Sequence, residues 1–142
     1  MKHLLCPNCR AVNRTDQDRL GSAVCGKCKM PLAGAGVLHL DASLLDSLLV
    51  QDELPLLVDF WAPWCGPCRA MAPAFEAAAR ALGPGVRLAK VDTQEHQDLG
   101  ARYGIQSIPT MALFVHGREV DRISGAMSAR DIVDWAQARL RS

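Results

Sequence analysis

Leu54 to Ala62 is an almost unbroken apolar run, interrupted only by the carboxylate of Asp59 and by Pro55. A run of that kind predicts a strand whose sheet is covered on both faces. Apolar and polar positions around it alternate in blocks. Val37 to Leu40 predicts a shorter strand, and Asp41 or Ser43 can cap a helix reaching Val50. A helix is expected from about Gly66 to Leu82, interrupted near Pro73 and ended by Gly83-Pro84-Gly85. Val86 to Asp92 reads as a strand and Glu95 to Tyr103 as a short helix. Thr110 to Val115 and Glu119 to Ser124 flank His116-Gly117-Arg118 as a hairpin. Ser128 caps a last amphipathic helix, with Ile132, Val133, Trp135, Ala136 and Leu140 on its apolar face. The order βαβαβαββα implies an α/β fold, a mixed sheet with helices on both faces.

The first quarter of the chain has no such pattern. Arg10 to Val24 is mostly polar and offers little core, and Pro31-Leu32-Ala33-Gly34-Ala35-Gly36 reads as a short linker. Two units follow from this division: residues 1–33 as a small module and 34–142 as a larger domain. Net charge divides with them, +4 over residues 1–33 and −3 over the rest, for +1 in total. That total gives no global argument for nucleic acid. The basic module lacks an aromatic residue for stacking on bases, so a nucleic-acid ribbon is disfavoured. No stretch approaches the ~20 apolar residues of a membrane span. The N-terminus lacks the continuous apolar run of a signal peptide, so a cytoplasmic location is expected.

Six cysteines fall into three C-x-x-C pairs: Cys6/Cys9, Cys25/Cys28 and Cys65/Cys68. They could be six half-cystines, or four metal ligands with two redox thiols. A reducing compartment favours the second option. The first two pairs are separated by the fifteen residues Arg10 to Val24, a spacing that can bring four thiolates onto one tetrahedral Zn²⁺. A module of ~30 residues with little core usually needs such a staple. A four-sulfur site is coordinatively closed, so one structural zinc on Cys6, Cys9, Cys25 and Cys28 is expected. His3, His39, His96 and His116 show no ligand spacing and read as surface residues.

The third pair sits differently. Trp64-Cys65-Gly66-Pro67-Cys68 carries the chain from the apolar strand into a helix, placing Cys65 at the helix start and Cys68 one turn deeper. Unpaired N–H groups and the positive end of the helix dipole favour a Cys65 thiolate. Two thiols at that separation can close a redox-active disulfide, with Cys65 as nucleophile and Cys68 as resolving thiol. Pro67 fixes the turn between them. Trp61 reads as core packing and Trp64 as an apolar rim, while Gly66, Gly104 and Gly125 are expected to permit close backbone approach. From the residues alone, Asp59 is more simply an exposed or capped strand-edge acid, and Lys90 a solvated strand-end lysine.

Val58-Asp59-Phe60-Trp61-Ala62-Pro63-Trp64-Cys65-Gly66-Pro67-Cys68 resembles the active-site stretch of the thioredoxin family. Further matches follow in the family's order: Pro73, Lys90-Val91-Asp92, Tyr103-Gly104-Ile105, Ile108-Pro109-Thr110 and Gly125. Arg69 stands where many members have lysine. The resemblance covers about Val37 to Ser142, and the two N-terminal cysteine pairs match the bacterial members that carry a zinc module. It implies a thioredoxin fold preceded by a zinc-ribbon-like module, and protein-disulfide reduction as the activity. It also implies that Asp59 is a buried acid/base for the deeper thiol, with Lys90 modulating it. Pro109 is then cis against the disulfide, leaving the Ile108 backbone free to pair with an extended client strand. The implied partners are disulfide-containing client proteins and an NADPH-dependent thioredoxin reductase. A monomer without a tightly bound organic cofactor is expected. A redox-sensitive zinc switch in the module, or a net oxidant rather than a reductant, are the competing readings.

Overall fold

The computed structural model describes residues 1–34 and 36–141. Ala35, inside the expected linker, and Ser142, at the end of the expected larger domain, lie outside the described residues. The elements run β1 (Lys2–Leu5), β2 (Val12–Thr15), β3 (Leu38–His39), α1 (Ala42–Gln51), β4 (Leu56–Trp61), α2 (Gly66–Leu82), β5 (Arg87–Asp92), α3 (Gln97–Arg102), β6 (Thr110–Val115), β7 (Arg118–Ser124) and α4 (Ala129–Leu140). A short 3-10 turn, Gln17–Arg19, follows β2.

Five strands form a mixed sheet in the order β3-β5-β4-β6-β7. β3, β5 and β4 are parallel, whereas β6 runs antiparallel to both β4 and β7. The apolar run thus becomes the central strand. It begins at Leu56 rather than Leu54, because Pro55 has no N–H to give the ladder. Its alternate side chains feed two cores. Leu56, Val58 and Phe60 pack with Leu44, Leu45 and Leu48 of α1 and Leu99 of α3. Leu57 packs on the other side with Met71 and Phe75 of α2 and Ile132 and Trp135 of α4. Period-two alternation therefore turns Asp59 toward the layer that contains α2.

Caps match the sequence chemistry. Asp41 Oδ1 accepts from the Leu44 N–H at 2.8 Å, and Ser128 Oγ from the Asp131 N–H at 3.1 Å. α2 differs from expectation, since it passes through Pro73 as one helix of 17 residues. Pro73 removes one internal hydrogen bond, but buried Met71, Phe75 and Ala78 hold the turns on either side against the sheet.

The N-terminal module has a core of its own, contrary to expectation. β1 and β2 form a two-stranded antiparallel hairpin, Lys2 opposite Thr15 through Leu5 opposite Val12. Leu4, Leu20, Leu32 and Ala33 are buried around Cys6 and Cys25, with Leu54 joining from the sheet domain. Leu32 and Ala33 were expected in a linker without core, and Leu20 in a polar segment. Their spacing follows no period, so only the folding of the cysteine turns brings them together. Leu5 goes further and packs into the α1–α3 side of the main core. His3 and Glu53 exchange backbone and side-chain hydrogen bonds, with His3 Nδ1 2.7 Å from Glu53 Oε1.

Candidate functional site

Cys65 is the N-cap of α2, and its sulfur accepts from the Cys68 N–H at 3.2 Å. Cys65 and Cys68 are joined as a disulfide with Cα atoms 5.3 Å apart. On reduction, the Cys65 thiolate keeps that N–H donor and the positive end of a 17-residue helix. Cys68 is fully buried, while Gly66 and Pro67 between them are exposed. Trp64, 69% exposed, forms an apolar rim beside the pair. Cys65, at 5% exposure against none for Cys68, is the member of the pair nearer solvent, so attack by or on the pair comes from its side.

Opposite Cys65, the Ile108–Pro109 peptide is cis. The Ile108 carbonyl oxygen lies 3.7 Å from Cys65 Sγ. Pro109 is buried, and its carbonyl accepts from the Gly125 N–H at 2.9 Å. Thr110 Oγ1 bridges the Ser107 carbonyl at 2.6 Å and Ser124 Oγ at 2.8 Å, fixing the entry to β6. Close backbone approach is not what the site glycines supply. A Cβ at Gly66, Gly104 or Gly125 would meet no heavy atom within 4 Å. Gly104 and Gly125 instead adopt φ of +63° and +103°, where a side chain is strained.

Asp59 is fully buried, and neither carboxylate oxygen has a hydrogen-bond partner. Burial pushes its carboxyl up to about 7, and the Lys90 ammonium offsets only part of that rise. Lys90 stands beside Asp59 in the parallel β4–β5 register and is itself nearly buried. Its Nζ sits 4.5 Å from the centre of the Trp61 ring. The simpler readings from residue type alone, an edge aspartate and a solvated lysine, do not hold. Trp61 is half-buried and packs against this lysine, with its indole N–H unpaired.

At the other end of the chain, the Sγ atoms of Cys6, Cys9, Cys25 and Cys28 all lie within 4.8 Å of one another. Cys6 and Cys28 sulfurs are 3.5 Å apart, and those of Cys9 and Cys25 are 3.6 Å apart. A tetrahedron of sulfurs around zinc has edges of about 3.8 Å, so this donor set fits the ion. Hydrogen-bond donors also face the sulfurs: Asn8 Nδ2 on Cys28, with Asn13 Nδ2 and the Lys27 N–H on Cys25, at 3.4–3.5 Å. The Cys28 backbone and the Asn13 amide hold the Cys25 thiol below its usual range. No histidine belongs to this group, and it is the one cluster of metal-type ligands among the described residues.

A disulfide at the head of a helix, with one sulfur on the accessible side and an unpaired buried acid on the neighbouring strand, defines a thiol–disulfide exchange site. Comparison with known proteins agrees. Residues 36–138 match the family model described as Thioredoxin. Thioredoxin C-3 of Corynebacterium nephridii is 35% identical over 139 residues, 97% of this chain and 95% of the relative. Thioredoxin 1 of Synechococcus elongatus is 44% identical over 87 residues, 61% of this chain and 80% of the relative. A thioredoxin of Synechocystis is 45% identical over the same length and shares. The chain belongs to the thioredoxin family, and it is a thiol–disulfide oxidoreductase. Thioredoxins as a family act on disulfide substrates and are reduced by thioredoxin reductase. No helix among the described residues is long and apolar enough to cross a membrane.

Sequence reasoning missed Asp52 and Arg87, a buried pair between the module and the sheet. The signal was present. Arg87 is, with Lys90, one of two charges inside the otherwise apolar stretch Val86 to Val91, as Asp59 is the one charge inside Leu56 to Trp61, and Arg87 alone of the three was not singled out.

Proposed function

We propose that this chain is a cytoplasmic protein-disulfide reductase of the bacterial thioredoxin 2 type. Residues 1–33 form a module around one structural zinc, and residues 34–142 form the catalytic thioredoxin domain. The observation that carries the redox reading is the placement of Cys65 as N-cap of α2, its sulfur held by the Cys68 N–H, with Cys68 buried beneath it.

The reduced Cys65 thiolate attacks one sulfur of a client disulfide. A Cys65–client bond forms, the client S–S bond breaks, and the second client sulfur leaves as a thiolate. Cys68 then gives its proton to Asp59 and attacks Cys65 Sγ. The Cys65–Cys68 disulfide forms, the mixed disulfide breaks, and two electrons have passed to the client. An NADPH-dependent thioredoxin reductase restores the dithiol. Burial keeps Asp59 basic enough to take that proton near neutral pH, and Lys90 tempers it. Trp61 supports Lys90, and Trp64, Gly66 and Pro67 form the surface the client meets. The Ile108 N–H, which has no partner within the chain among the described residues, is free to pair with an extended client strand beside Pro109 and Gly125. Cys6, Cys9, Cys25 and Cys28 hold the zinc, which as a closed four-sulfur site supplies folding energy and takes no part in the exchange.

Insulin reduction with reductase and NADPH tests the reading directly. Cys65→Ser abolishes turnover, and Cys68→Ser accumulates a mixed disulfide with the client. Retained turnover in Cys65→Ser would overturn the assignment.

A further inference from the structure

Between the module and the sheet lies an ion pair that neither the redox chemistry nor the metal site uses. The side chains of Asp52 and Arg87 are only 2% and 5% exposed. Arg87 Nε and Nη2 each donate to one oxygen of Asp52 at 3.0 Å. Two further donors of the fork go to the module: Nη1 to the Leu32 carbonyl at 2.7 Å and Nη2 to the Leu5 carbonyl at 3.0 Å. Asp52 in turn accepts from the Leu5 N–H at 2.8 Å and the Leu54 N–H at 3.2 Å. Both charges belong to the sheet domain, Asp52 at the end of α1 and Arg87 at the start of β5.

What the fork reads is the frame of the cysteine cluster. Leu5 directly precedes Cys6, and Leu32 follows Cys28 by four residues, with the Cys25 N–H bonded to the Met30 carbonyl between them. One guanidinium thus holds a carbonyl from each side of the four-sulfur site. A buried ion pair has little tolerance for partial loss of partners, because each group left unpaired keeps the cost of its dehydration. Loosening the module while its apolar contacts remain would strand Arg87 and Asp52 in that condition. Leu5 adds a second tie, since it is part of the main core beside Leu44 and Leu45.

We propose that the Arg87–Asp52 pair makes the four-cysteine site and the catalytic sheet one cooperative folding unit, so that filling the metal site stabilises the sheet. This rests on the zinc reading given above and extends it to the residues that transmit the effect. Arg87 is in this sense a coupling residue, distant from the reacting sulfurs.

The experiment uses the full chain with one zinc bound, its thiols kept reduced. Denaturant unfolding is followed by tryptophan fluorescence, which reports the sheet domain because all three tryptophans lie there, and by zinc release to a metallochromic dye. The two curves are expected to coincide, and removing zinc with a chelator is expected to move the tryptophan midpoint to lower denaturant. In Arg87→Met, still loaded with one zinc, release is expected before the tryptophan change, and chelation no longer moves that midpoint. Coincident curves in Arg87→Met, or a metal-independent tryptophan midpoint in the zinc-loaded natural chain, overturn the coupling while leaving the metal site standing. Failure to bind one zinc per chain overturns the metal reading, and the coupling with it. Hydrogen exchange on the natural chain needs no folded variant. Chelation is expected to lower amide protection in β4 and β5 by about tenfold or more, alongside β1 and β2. Loss confined to β1 and β2 overturns the proposal.

Discussion

Asp59 puts a measurable pH dependence into the fold. Its carboxyl titrates at about 7 when folded against 3.8 for an ordinary aspartate, because burial penalises the charge. Below about pH 4 both folded and unfolded chains hold the proton. As pH rises toward 7 only the folded chain holds it, so stability is lost through that window and levels off above it. The shift corresponds to about 4 kcal/mol. Urea unfolding of the oxidised protein is therefore expected to show Asp59→Asn more stable than the natural chain at pH 8, with the difference vanishing near pH 4. Parallel stability curves across that range would contradict a buried, unpaired carboxyl. Under the mechanism proposed above the same substitution takes away the proton acceptor for Cys68, so resolution of a client mixed disulfide is expected to slow by roughly a hundredfold in stopped-flow measurements. Residue type alone did not disclose this group. An aspartate in an apolar strand is as readily an edge residue, and only the register, with β5 and β6 on either side of β4, makes it central.

Among the elements, those with strong periodicity or clear caps were legible: β4, β5, the β6–β7 hairpin, α1 and α4 begin or end within a few residues of where the side-chain pattern puts them. β1 and β2 were not, because neither four-residue strand alternates cleanly and only three of their eight residues are buried. The turn of the β6–β7 hairpin shows how tightly the elements are fitted. A Cβ on Gly117 would lie 2.6 Å from the Leu49 carbonyl oxygen of α1, and its φ is +77°. Gly117→Ala is accordingly expected to lower unfolding free energy by roughly 1–3 kcal/mol, read from the denaturant midpoint. Gly85→Ala provides the contrast. That site has open space and no positive φ, so the change is expected to be neutral or slightly stabilising. Equal losses at both positions would show that the contact with α1 is not the cause.

For the molecule as a whole, the cysteine count was legible and the packing of the module was not. Two C-x-x-C pairs announce a four-sulfur site by spacing, whereas Leu4, Leu20 and Leu32 have no periodicity to announce a core. Chelation under reducing conditions, followed by removal of the reductant and thiol titration, is expected to release one zinc per chain and expose four additional reactive thiols, those of Cys6, Cys9, Cys25 and Cys28. An unchanged thiol count would contradict metal protection. The way the module is seated also bears on whether it can be exchanged between proteins. Leu54 lies inside the module's core and Leu5 inside the sheet's, while Arg87 and Asp52 complete the hydrogen bonds of Leu5 and Leu32. Residues 1–33 grafted onto a thioredoxin without an arginine and an aspartate at the corresponding places would bring two buried carbonyls and one N–H with nothing to meet them. The segment is portable only together with its socket, and the socket is written into residues 52–54 and 87 of the recipient.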